Sequence, residues 1–159
     1  MDTEKQPIEE VLKETANKII EMIGFKAEVE IVKNNFGDSL MHVVSIHSAD
    51  DLGMLIGKNG QNIKALEHLF RVLVFKKLPE NSNFIIDIND YRKSRANYVV
   101  DLAKTAVARV RETKRAEALL PMSSYERRLV HMELAAHPDI ITESIGEEPQ
   151  RRVVIKLLI

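Results

Sequence analysis

Residues 55–63 read LIGKNGQNI, a lysine and an asparagine held between two glycines with apolar residues on either side. Three structures fit so short a stretch: a nucleotide-binding phosphate loop, a clamp for a nucleic-acid backbone, or a tight turn between helices. The first fails on spacing. A phosphate loop places four residues between its glycines and a Ser or Thr after its lysine. Here Gly53 to Asn59, GMLIGKN, has three residues between the glycines and ends on Asn59. The stretch also follows a helical pattern, whereas a phosphate loop follows a strand.

The flanks decide the fold. Pro7 stands where a first helical turn tolerates it; Ile8, Val11, Leu12, Ile19, Ile20 and Ile23 recur at helical spacing until Gly24 supplies a stop. AEVEIV, 27–32, alternates apolar and acidic residues. After the turn-prone residues 34–38, the run 40–47 is rich in Val and Ile, which predicts a β-hairpin. Asp50, Asp51 and Leu52 begin a short helical segment that enters the glycine loop, and Ile63, Leu66, Phe70, Leu73 and Val74 mark one face of the next helix. Residues 79–83 break that pattern, and FIIDI, 84–88, is a strand with Phe84, Ile86 and Ile88 on one side. In this helix-loop-helix setting, two glycines let backbone approach backbone and the second helix offers its N–H groups to phosphates. Lys58 adds a cationic donor, Lys64 a second one, and Ile56, Ile63 and the Phe84 strand offer an apolar floor for bases. A plain turn would leave Lys58 and Asn59 on the surface just as well, so both readings stand at this point.

Across all 159 residues, 45% hydrophobic and 30% charged is ordinary for a globular domain. The net charge of −1 conceals a division: 10 Lys and Arg against 15 Asp and Glu up to Asp90, then 13 against 9 from Tyr91. An acidic first half and a basic second half predict two modules, 1–90 and 91–159, of which a polyanion prefers the second. There is no cysteine, which excludes disulfides, thiol catalysis and cysteine-ligated zinc. No apolar run reaches the ~20 residues of a membrane span, and the acidic start MDTEKQPIEE is no signal peptide, so the expected compartment is the cytoplasm.

In the second half, Asp90 is positioned to cap a long helix. Its buried stripe is Val99, Leu102, Ala103, Ala106, Val107 and Val110, with Arg and Lys lining the rest. SSYE, 123–126, has capping-box spacing; Pro138 closes the helix it opens, and ITESI and RVVIKLLI form a hairpin around 146–150. Arg127 and His131 stand four apart and share a helix face, a guanidinium fork beside an imidazole that can hold a phosphate or stack on a base. Taken alone, such a pair is more often a solvated or hydrogen-bonded couple than a site. His42 and His47 lie an odd number apart on a strand and point to opposite faces, so no metal site or other cofactor is expected. No nucleophile elbow accompanies the serines, and no enzyme is expected.

The loop Leu55, Ile56, Gly57, Lys58, Asn59, Gly60 and Ile63, preceded by helix and hairpin and followed by a strand, resembles a KH domain of type II with its GxxG loop. Residues 119–155, with Arg127, His131, the additional basic Arg128, and Arg151 and Arg152 on the following hairpin, resemble the R-three-H domain, a small α+β binder of single-stranded nucleic acid. The pairing, from Ile8 to Ile155, resembles the Jag family, also called KhpB or SpoIIIJ-associated protein. The resemblance implies an α+β chain and a bacterial cytoplasmic protein that binds single-stranded RNA, with single-stranded DNA as the alternative strand. It also implies a link to cell elongation, division and envelope regulation, and a smaller KH-only partner. The competing expectation is a protein-binding adaptor for which RNA is incidental. The sequence departs from the family's pattern in two ways: it starts almost directly at the KH module, so the additional amino-terminal domain of many members is expected to be lacking, and it carries Asn59 where a second basic residue is common.

Overall fold

The computed structural model describes residues 7–36, 39–79 and 82–158. Of the turn expected at 34–38, residues 34–36 instead extend the first strand, while Gly37 and Asp38 lie outside the described residues, as do Glu80 and Asn81 of the expected break and most of the acidic start. The chain divides into two compact units, Met1–Arg92 and Lys93–Ile159.

The first unit runs α1 (Ile8–Ile23), β1 (Glu28–Phe36), β2 (Ser39–His47), α2 (Gly53–Ile56), a single 3-10 turn (Lys58–Gly60), α3 (Gln61–Val74) and β3 (Phe84–Ile88). Pro7 precedes α1 and Gly24 ends it in the left-handed region, its N–H returning to the Glu21 and Ile20 carbonyls. The sheet order is β1-β2-β3, with β1 antiparallel and β3 parallel to β2. Register places Val44 beside Ile86 and Ile46 beside Ile88. These residues and Phe84 face α1 and α3, where Leu12, Ile20, Leu66, Phe70 and Val74 complete the core. Phe70 and Phe84 meet edge to face at 5.6 Å.

An edge strand such as β3 exposes a row of backbone groups that invites pairing with another chain. Here side chains take them: Arg71 donates to the Phe84 carbonyl (2.7 Å), Arg92 Nε to the Ile86 carbonyl (2.8 Å), and the Ile86 N–H donates to Glu67 (3.3 Å). Glu67 pairs with both arginines, and Arg71 also covers the Phe84 ring.

The second unit continues α4 (Tyr91–Thr113), β4 (Glu117–Ala118), α5 (Ser124–Leu134), β5 (Ile140–Ile145) and β6 (Arg152–Leu157), with sheet order β4-β6-β5, all antiparallel. The expected stripe of α4 is buried, Leu102 only partly, against Val130, Leu134, Val153 and Ile155. Asp90 is not the cap of α4. It sits at φ 55°, and the Asp87 carboxylate accepts from the Arg92 N–H at 3.1 Å instead. The two-residue strand β4 is too short to leave a periodic signal. The capping box forms: Ser123 Oγ accepts from the Glu126 N–H, and Glu126 accepts from the Ser123 N–H at 2.7 Å.

Glu126 is buried and pairs with Arg95 at 2.6 Å. Burial alone would raise its pKa, but the hydrogen bonds from Ser123 and Arg95 outweigh it and hold the carboxyl below its ordinary value. Replacing Glu126 by Ala strands Arg95 and removes the carboxylate half of the capping box, and is expected to cost about 2–4 kcal/mol. Urea unfolding followed by tyrosine fluorescence measures it, since the chain has no tryptophan and Tyr98 and Tyr125 both lie in this unit. A loss under about 1 kcal/mol, the worth of an exposed pair, would mean that water satisfies these partners.

Candidate nucleic-acid interface

In the first unit, α2 ends on Gly57 at φ 70°, ψ 176°, a region that only glycine occupies readily. A Cβ there would stand 2.5 Å from Asn62 Cγ, where the Asn62 amide donates to the Met54 carbonyl (2.7 Å) and so closes the end of α2. Gly60, at φ 75°, has Tyr91 Cε1 2.9 Å from where its Cβ would be. Between them Asn59 takes φ 54°, ψ 28°. Asparagine is the residue besides glycine that best tolerates this left-handed conformation, so Asn59 serves the shape of the loop, where the sequence comparison counted it as a missing charge.

Lys58 and Asn59 are exposed at the tip, Lys64 is exposed on α3, and Gly60 leaves the α3 N-terminus without a side-chain cap. The apolar floor requires correction. Ile63 and Phe84 are each only 3% exposed and belong to the core, because α3 turns that face onto the sheet. Of the three floor positions, Ile56 alone is partly exposed.

In the second unit, Arg127, Arg128, His131 and Arg151 line one open cavity of about 440 Å³, with Met132 and Ser144. Arg128 and Arg151 are exposed. Arg127 is a hydrogen-bonded residue and not a free fork: its side chain is 8% exposed, and Nη1 donates to the Met122 carbonyl (2.9 Å) and to Glu148 Oε1 (2.7 Å). Helical spacing of four makes residues neighbours but does not set their depth, and Arg127 falls beside the buried Val130 and Leu134. His131 is likewise engaged, Nδ1 with Thr142 Oγ1 (2.7 Å) and Nε2 with Ser144 Oγ (2.8 Å). Burial first, and then the positive charge of Arg127, hold its pKa below the ordinary value. A neutral His131 ties α5 to β5, and the positive charge of the cavity comes from arginines. Alternation along β5 puts Thr142 and Ser144 on one face, the signal that could have named these partners.

Arg152 does not join the cavity. Val153 and Ile155 of β6 face the core, so Arg152 lies on the other face of the sheet. Among the described residues no cluster of three or more His, Asp or Glu side chains is placed to hold a metal ion, and no helix is long and apolar enough to cross a membrane.

A GxxG loop between helices against a three-stranded sheet, followed by a capped helix that carries arginines and a histidine over a second sheet, defines a KH module joined to an R-three-H module. The profile of the R-three-H domain matches residues 98–157. The chain is 40% identical over 108 residues to the RNA-binding protein KhpB of Clostridium symbiosum, an alignment covering 68% of this chain and 49% of that protein. It is 32% identical over 139 residues to that of Lactiplantibacillus plantarum (87% and 42%) and 31% over 140 residues to that of Bacillus subtilis (86% and 64%). The chain belongs to the Jag, or KhpB, family, and spans about half the length of the curated relatives it matches.

Two outcomes follow from the geometry. Gly57→Ala is expected to cost about 1–3 kcal/mol and Asn59→Val, β-branched at positive φ, more than about 1 kcal/mol, while Asn59→Gly stays close to neutral in thermal melts. If Gly57→Ala were neutral, the loop would not need its left-handed backbone. The second concerns pH. Because the folded state holds His131 below the ordinary 6.5, the unfolded chain takes up a proton first. Stability from this site is therefore complete above pH 6.5 and is lost as pH falls below it towards the folded value. Melts at descending pH should show a fall that His131→Asn flattens; the same slope in both proteins would place the titration elsewhere.

Proposed function

We propose that the chain binds single-stranded RNA through two surfaces, the Gly57–Gly60 loop and the cavity of the second unit. The observation that carries this reading is the set of Arg127, Arg128 and Arg151 around one open cavity, positive charge held in place by a helix and a hairpin. Arginines arranged in this way hold phosphate oxygens without reading sequence. In the first unit, Lys58 and the uncapped start of α3 add a second place for the sugar-phosphate backbone. No reaction is assigned to the chain. The three relatives compared above are named RNA-binding proteins, and with them we read the biological role as post-transcriptional control in the bacterial cytoplasm, linked to cell elongation, division or envelope homeostasis, alongside a smaller KH-only partner.

A second reading, a protein-binding adaptor, draws on Leu69, Val72, Leu73 and Phe75, exposed apolar side chains at the end of α3. Salt separates the two. RNA affinity falls with salt by about 0.7 in log-log slope for each phosphate neutralised on a single strand. Fluorescence anisotropy with labelled single-stranded RNA, matched DNA and duplex RNA is expected to show steep salt dependence and preference for the single-stranded RNA. Lys58→Asp combined with Asn59→Asp, and separately Arg128→Ala combined with Arg151→Ala, should each weaken binding by roughly five-fold or more and flatten the slope. Folded variants that bind like the parent would remove the corresponding surface. Absence of salt-sensitive binding by the parent would favour the adaptor.

A further inference from the structure

Arg127, which lines the cavity of the second unit, already holds an anion supplied by the chain itself. Arg127 Nη1 bonds inward to the Met122 carbonyl at 2.9 Å and outward to Glu148 Oε1 at 2.7 Å. The two ends of this pair differ sharply: the Arg127 side chain is 8% exposed, whereas that of Glu148 is 59% exposed. Glu148 lies between β5 and β6, where Gly146 at φ 83° starts the turn and the Gln150 N–H closes it onto the Glu147 carbonyl at 2.8 Å. The same connection ends at Arg151, on the cavity wall.

We propose that Glu148 is an affinity-setting residue of this site: its carboxylate holds the place on Arg127 that a phosphate of the bound strand takes. This rests on the reading of the cavity as a nucleic-acid surface. A carboxylate and a phosphate oxygen make the same charge-assisted bond to a guanidinium, so they compete for one donor. The mobile partner is Glu148, because a mostly exposed side chain leaves for water at little cost, whereas Arg127 stays anchored by Met122 when Glu148 departs. A strand that brings phosphates to Arg128 and Arg151 supplies the charge that displaces it. The consequence is selectivity: an isolated anion must overcome an internal competitor with one contact, while a polyanion does so with several. Glu148 thereby suppresses capture of small anions and tempers the grip on single strands.

The test uses the full chain and a short labelled oligouridine. Glu147 is the internal control, since it carries the same charge one residue away and is exposed. Glu148→Gln and Glu148→Ala are expected to tighten binding about five-fold at low salt, and Glu147→Gln by less than about two-fold. If Glu148→Gln matches Glu147→Gln, the effect is only net charge and the inference is overturned. If both Glu148 variants weaken binding, Glu148 orients Arg127 for the strand, and the inference is again overturned. Arg128→Ala with Arg151→Ala reports on the underlying reading: weakened binding there, with unchanged Glu148 variants, defeats this inference alone. Parent-like binding by both sets defeats the cavity as a nucleic-acid surface. Circular dichroism of each variant confirms that the comparison is between folded proteins.

Discussion

Neither Gly57 nor Gly60 can carry a side chain without strain, and the first unit is organised by that constraint. With φ near 70° at both positions, the chain turns from α2 into α3 so tightly that Asn62 and Tyr91 occupy the space a Cβ would need. The turn fixes the direction of α3, whose Ile63, Leu66, Phe70 and Val74 cover β2 and β3, and whose Glu67 and Arg71 close the open edge of β3. It also exposes Lys58 and the uncapped start of α3 together. One backbone conformation accordingly links the packing of the first unit to the surface read here as its ligand-binding site.

The second unit is organised by buried polar pairs. Glu126 joins the start of α5 to Arg95, Arg127 joins it to the Met122 carbonyl, and His131 joins it to Thr142 and Ser144 on β5. Three side chains of one short helix, all polar and none of them freely exposed, thus tie it to the elements around it. Buried charges are tolerated only when paired and hydrogen-bonded, and the removal of one partner costs more than the pair contributes. The exposed cations, Arg128 and Arg151, are free of that structural duty and give the cavity its outward charge.

Periodicity made most of the elements legible, since each places apolar residues at 3.6 or 2 spacing against the core of its own unit. The SSYE capping box and the glycine loop were legible for the same reason, as local chemistry with fixed offsets. What stayed hidden depends on distance in space. Ile63 and Phe84 read as a surface floor because apolar character does not tell core from groove. Arg127 stayed open between a site and a hydrogen-bonded residue because its partner Glu148 lies 21 residues away. Asp90 read as a cap until Asp87, from the preceding strand, proved to reach the Arg92 N–H. Arg152 counted with Arg151 until the strand alternation put them on different faces. Asn59 is the instructive case, since a charge comparison called it a deficiency and its φ of 54° makes it the residue the loop needs.

The central claim is that single-stranded RNA meets this chain at two places, one in each unit. Backbone amide NMR during titration with short single-stranded RNA tests it without altering a residue. The expected result is perturbation concentrated at Gly57–Gly60 with the first turn of α3, and at Arg127, Arg128, His131 and the turn bearing Glu148 and Arg151. Perturbation confined to one unit, or spread over surfaces remote from both places, would contradict the account.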